Sequence, residues 1–326
     1  MNSNNIPQTY NYCVSVDGSK HSDFAIEVVL SEFFKQGDKI DVIHIKNFDF
    51  DKLTLYDYEV HKVLDHYINK NGMSIAKKDY RSFCSDRNKE SKHSLQQAFQ
   101  RALEQKANIV FIGFKGTKAS DMTIDNFPKN GICDKSIQND ILSMNKSLTK
   151  GILYILQLPR IPFPITIVKE VSSRKNKDNK GFTWCFCIKD LNSSFQLFKK
   201  LFSLGLIDKE NDFVRGIHIK PLDNKYDKTL SKKFKQHCKE IGVKHHHFKY
   251  MDHDKKYPEQ IGLQISNLVN FGDEYIDFTI CHYDSNSYYY VENHPLYDII
   301  MNVESNIVFG QGIINLLLNF LRGFQK

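Results

Sequence analysis

The chain has 326 residues, 41% of them hydrophobic, which suits two domains of ordinary size and excludes a disordered polymer. Its net charge of +7 is shared almost evenly, +3 up to Glu170 and +4 beyond, so neither half is the concentrated basic module that nucleic-acid binders carry. No apolar run approaches the roughly 18 residues of a membrane span. The seven cysteines form no C-x-x-C pair, and the polar opening MNSNNIPQTYNY has no leader-peptide character; both predict a reduced, cytoplasmic setting.

The first half opens on a buried strand over Tyr10–Val16, closed by Asp17-Gly18. Ala25, Ile26, Val29, Leu30 and Phe33 then recur at helical spacing, with Ser22 as the expected N-cap. KIDVIHIKNF is a second strand, and a helix over Tyr58–Asn69 ends at Asn71-Gly72. SIAKKDYRSFC is a polar strand suited to an edge. SLQQAFQRALEQKA is an amphipathic helix on Leu95, Phe99, Ala102 and Leu103, and NIVFIGFKG is a buried strand running into glycine. SLTKGILYILQLPRIPFPITIVKE reads as a helix and a closing strand after Pro162 and Pro164.

The second half repeats this order. FTWCFCIKD is a strand, SSFQLFKKLFSLG a helix, DFVRGIHIKPL a strand and Leu230–Ile241 a helix. VKHHHFKYM, PEQIGLQISNLVN and YIDFTICHY follow as strand, helix and strand, and HPLYDIIMN and SNIVFG close the series. The tetrapeptide IHIK occurs at Ile43–Lys46 and again at Ile217–Lys220, on the second strand of each half, so the chain reads as one unit written twice. Alternating strands and helices predict parallel sheets covered on both faces.

VSVDGS at the end of the first strand, VIHI on the second, IVFIGFKG on the fourth and the proline-introduced IPFPITIVKE together resemble the universal stress protein family. The expected fold is α/β, two tandem five-stranded parallel sheets of Rossmann-like type with helices on both faces. The domains expected are 9–171 with an insertion at 117–145, a linker at 172–180, a degenerate second domain at 181–310 and a tail helix at 311–326. The closing strands of this family commonly pair between subunits, which implies an intramolecular pseudo-dimer here. The family has ATP-binding and non-binding branches, and the resemblance places an ATP site on Asp17, Ile45, Gly113, Gly116, Lys146 and Ser147. Asp17 ends the first strand, where open parallel sheets bind ligands. Gly113 and Gly116 let backbone N–H groups approach ribose and phosphate. Lys146 stands where the family has glycine, and Ser147 opens the following helix, whose free N–H groups favour phosphate. Asp17-Gly18 is equally an ordinary turn. In the second half Lys189 takes the place of the aspartate and DSNSYYY offers no glycine, so no nucleotide is expected there.

His245–His247 with His253 and Asp254 form a surface-strand pattern rather than a metal site, because neighbouring residues of a strand point to opposite faces. His44 and His218 are expected as ordinary strand histidines, and Cys185 and Cys187 as buried thiols. No G-x-S-x-G, P-loop or H-E-x-x-H motif is present, so no enzyme, metal, nucleic-acid or membrane role is expected. Three roles stay open: a non-catalytic nucleotide-responsive module in stress response or regulation, a scaffold subunit of a cytoskeletal or ciliary assembly, and a weak ATP hydrolase. The insertion offers a lid, a docking arm or a polar loop. The tail GIINLLLNFLRGFQK puts Ile313, Leu316, Leu317, Phe320 and Leu321 on one helical face, which needs cover from its own domain or from a partner.

Deleting 311–326 distinguishes the two covers. Each buried side chain of that face contributes roughly 1.5–3 kcal/mol. A tail that packs on its own domain therefore lowers the melting temperature by several degrees when removed, whereas a docking tail leaves the melt in place and loses co-purifying partners.

Overall fold

The computed structural model describes residues 9–46, 55–70, 72, 75–76, 78–86, 94–114, 163–174, 181–188, 193–221, 228–253, 260–271, 275–282, 299–300 and 303–310. The insertion at 117–145 and the tail at 311–326 lie outside them. The described residues form two compact units, the first holding 9–114 and the second 163–310.

The first unit contains β1 (Asn11–Val16), α1 (Lys20–Val28), β2 (Lys39–Lys46), α2 (Leu55–Lys70), β3 (Tyr80–Asp86), α3 (Ser94–Glu104) and β4 (Ile109–Gly113). Its strands lie in the order β3-β2-β1-β4, all parallel. The central β1 carries Tyr12, Cys13 and Val14 with no more than 1% exposure, so both of its faces are covered. α1 packs on β4 and β1, α2 on β3 and β2, and α3 on β2 and β1. β1→β2→β3 runs one way along the sheet and β3→β4 the other; right-handed crossovers therefore put α3 on the opposite face from α1 and α2.

Local chemistry adjusts several sequence expectations. α1 is capped by Ser19 rather than Ser22: the Ser22 N–H donates to Ser19 Oγ at 3.2 Å, and Ser22 is itself buried in the first turn. The helix then widens into a π turn over Val29–Phe33, closed by Phe34 N–H on the Val29 carbonyl. β3 begins at Tyr80, where its pairing with Ile40 begins, and is the outer strand of this order as its polarity predicts.

The second unit contains β5 (Ile165–Val168), β6 (Thr183–Cys187), α4 (Ser193–Ser203), β7 (Phe213–Pro221), α5 (Lys228–Ile241), β8 (His245–His253), α6 (Gln260–Phe271), β9 (Phe278–His282) and β10 (Asn306–Gly310). The order is β5-β10-β9-β6-β7-β8. Every pair is parallel except β5 with β10, the two closing strands, which run antiparallel. Among the described residues no helix is long and apolar enough to cross a membrane.

The repeat is visible bond for bond. Tyr10 N–H donates to Asp38 Oδ1 at 2.8 Å, and Phe182 N–H donates to Asp212 Oδ1 at 2.8 Å. Lys35 N–H meets Asp38 Oδ2 at 3.0 Å as Asp208 N–H meets Asp212 Oδ2 at 2.8 Å. Asn11 N–H reaches Asn108 Oδ1 as Thr183 N–H reaches Asp277 Oδ2. The second copy is reinforced. Asp212, fully buried, also accepts from Trp184 Nε1 at 2.8 Å and from Nε and Nη2 of Arg174, at 3.1 and 2.7 Å. Arg174 lies over the Phe182 ring at 4.1 Å, and Trp184 stacks on Phe278 at 4.3 Å.

Asp38 and Asp212 therefore occupy equivalent places with unequal partners. Stripping one member from a buried ion pair costs about 3–5 kcal/mol. Asp212→Ala should lower the melting temperature by roughly 6–20 °C, at ~2–4 °C per kcal/mol. Asp38→Ala should cost clearly less in the same thermal melts. Equal losses would show that Arg174 and Trp184 add nothing.

Candidate functional site

In an open parallel sheet the ligand crevice lies at the C-terminal edge, where the strand order reverses. In the first unit that is the edge between β1 and β4. The register pairs Val16 with His44 and Ser15 with Ile112. One step further, this brings Asp17, Ile45 and Gly113 to the same edge. Gly116, Lys146 and Ser147 lie outside the described residues.

The Asp17 turn is fully specified. Asp17 Oδ1 accepts the Ser19 N–H at 3.0 Å, and Gly18 sits at φ 83°. Ser22 Oγ donates back to the Ser19 carbonyl at 2.8 Å. Gly113 has a local cause as well. A Cβ there would stand 2.7 Å from backbone atoms of His21 and Ser22, so the first turn of α1 already occupies that space. Ile45 is 8% exposed beside His44, whose Nδ1–H donates to the Val16 carbonyl at 3.0 Å. The His44 bond holds the residue that precedes Asp17.

The same device recurs in the second unit, where His218 Nδ1–H donates to the Ile188 carbonyl at 2.7 Å. The two IHIK histidines are thus equivalent strand-end ties, a role that residue type alone does not announce. The edge around them differs. β9 ends in His282 where β4 ends in Gly113. α4 starts at Ser193, after residues 188–192, whereas α1 starts after only 17–19. A cavity of about 10 Å³ lies there among Phe186, Ile188, Phe195, Phe198, Ile280 and His282, with room for about one water.

The histidine cluster takes the surface place expected of it, whereas of the two thiols expected to be buried Cys187 is only half-buried. His245 and His247 are exposed on β8, while His246 turns to the Phe234 ring at 6.4 Å. Cys185 is fully buried, and Cys187 pairs across the ladder with Cys281. The neighbouring Cys185 and Cys281 thiols, together with burial, push the Cys187 thiol well above its usual range.

Solved structures share this architecture. A universal stress protein from Archaeoglobus fulgidus DSM 4304 is similar at a TM-score of 0.55 and 11% identity, over 94% of this chain and 100% of its own. The chain has the universal stress protein fold. A functionally unknown protein from Pseudomonas aeruginosa PAO1 gives 0.50 and 11%, over 93% of this chain and 92% of its own. Both matches run through the two halves, so the universal stress protein fold extends over nearly the whole length. No protein-family model and no curated protein matches the sequence.

The helix contact makes Gly113 testable apart from any ligand. Gly113→Ala forces a methyl against backbone, and overpacking of this kind costs about 1–3 kcal/mol. Thermal melts without nucleotide should show a drop of roughly 2–12 °C. An unchanged melt would return the glycine to a ligand-only role.

Proposed function

We propose that the chain is a non-catalytic module of universal stress protein type that takes ATP in its first half and none in its second. The observation that carries this reading is the convergence of Asp17, Ile45 and Gly113 at the strand-order reversal of the first unit. Asp17 offers its carboxylate to ribose hydroxyls, and Ile45 an apolar surface to the base. Gly116, Lys146 and Ser147 are assigned to the phosphates through the family resemblance. At the matching edge of the second unit His282 stands in place of glycine, over space for about one water. The two closing strands, antiparallel neighbours, support the pseudo-dimer reading and with it a regulatory or interaction role inside the cell.

A second reading keeps one specific observation. Because α1 alone accounts for Gly113, the edge can persist as structure after nucleotide binding is lost, as a scaffold subunit of a cytoskeletal or ciliary assembly would allow. A weak ATP hydrolase is the less supported role, since the turn already engages Asp17 through Ser19.

Asp17→Asn separates the readings. It keeps an acceptor for the Ser19 N–H, so the turn survives, and replaces the second carboxylate oxygen with a donor. Calorimetry with Mg-ATP should show binding by the parent chain and a loss of at least about tenfold in the variant, equivalent to about 1.4 kcal/mol, at an unchanged melting temperature. Equal affinities would remove Asp17 from the site. No binding by the parent would leave the scaffold reading.

A further inference from the structure

β8 is the outer strand of the second unit, and among the described residues nothing pairs with its far side. Such an edge presents backbone N–H and C=O groups to any extended chain. Its surroundings are mainly basic on both faces, with one exposed acid, Asp252, on the strand itself. On one face, α5 packs over β8 through Phe234, which meets the Phe248 ring at 5.4 Å, and through Ser231 N–H on the Tyr250 hydroxyl. α4 lies along one flank of α5, where His237 meets the Phe195 ring at 4.9 Å. Lys228, Lys232, Lys235 and Lys239 follow one another at spacings of four, three and four residues and form a stripe on the flank away from α4. All four are exposed, and none is ion-paired among the described residues. The stripe runs roughly 16 Å at 1.5 Å per residue. The acid of this helix, Glu240, is held on the α4 side by Gln236 and His237. On the other face of the strand stand His245, His247 and Lys249, all exposed.

Like charges at these spacings repel within a helix, and no acid on the stripe offsets them. An added strand would send alternate side chains to the two faces. Acidic residues on one side would meet the α5 lysines, and those on the other would meet His245, His247 and Lys249. A second copy of this chain pairing β8 to β8 would set basic groups against basic groups, so charge disfavours self-pairing. We propose that β8 and the lysine stripe of α5 form a docking edge for an acidic, extended polypeptide segment that adds as a strand. Main-chain bonds would supply the fit and the lysines the choice of partner.

The test uses the full chain and three fluorescent probes in polarisation titrations. One is a peptide of nine residues, the length of β8, alternating Glu and Thr, which puts every Glu on one face, the face turned to the α5 lysines in the proposed pairing. The second replaces each Thr with Pro, which keeps the charge and removes alternate N–H donors. The third is an oligouridylate of equal charge. The Glu-Thr peptide should bind and should slow amide exchange along β8. Its affinity should fall by at least about tenfold with Lys232→Glu/Lys235→Glu, and the other two probes should bind at least about tenfold more weakly to the parent. Three results would overturn the proposal. Absence of binding would make the lysines guards of the edge. Equal binding of the proline peptide or the oligouridylate would make the surface a general polyanion attractor. Binding without protection of β8 would place the peptide elsewhere.

Discussion

Each half of the chain depends on a buried carboxylate set just before its second strand. Asp38 and Asp212 each accept the N–H of the residue that leads into the central strand and an N–H from the segment before the second strand. Neither strand can then slide against the other. Register matters here because a slip of one residue would turn every side chain to the opposite face. At the far end of the same ladder, His44 ties its ring to the carbonyl of Val16, the last residue of β1, and His218 to that of Ile188, just past β6. The ladder is thus clamped at both ends, and its C-terminal edge, where Asp17 and Ile45 stand, is placed by those clamps.

The halves diverge where the clamps leave room to do so. In the first, the short turn of Asp17, Gly18 and Ser19 brings α1 so close to β4 that only glycine fits at 113. In the second, the longer passage to α4 coincides with a histidine at the matching place. The second unit also carries a denser aromatic core. Phe182, Trp184 and Phe278 meet ring to ring, and Asp212 satisfies the indole N–H that this burial would otherwise strand. Stability in the second unit therefore rests on a polar centre that the first reproduces only in outline.

Much of this was legible in the sequence. The alternation of strand and helix, the outer position of β3 and the repeat marked by IHIK all follow from residue pattern, because burial enforces periodicity. The causes of single residues were not legible. Ser19 and Ser22 are both good caps, and only the path of the chain through Gly18 decides for Ser19. Gly113 suggests access for a ligand, yet a helix backbone fills the space its missing side chain leaves. Arg174 sits in a charged run that reads as linker, and composition cannot tell which cation of such a run turns inward to a buried acid. Asp38 and Asp212 look like loop residues for the same reason: their partners are backbone N–H groups, which carry no sequence signature.

The contrast between the two outer strands follows from the repeat itself. On β3, Arg81 forms a two-bonded pair with the fully buried Asp41 of β2, at 2.7 and 2.8 Å. The corresponding place on β7, three residues before His218 as Asp41 is three before His44, holds Arg215. An acid that neutralises the outer strand in one half has become a cation in the other. Arg215 pairs in register with His247, so the exchange adds positive charge beside β8. The basic edge of the second unit is accordingly more than a helix rich in lysine. It extends to the strand inside β8, at a position where the first unit spends an aspartate to neutralise its own edge.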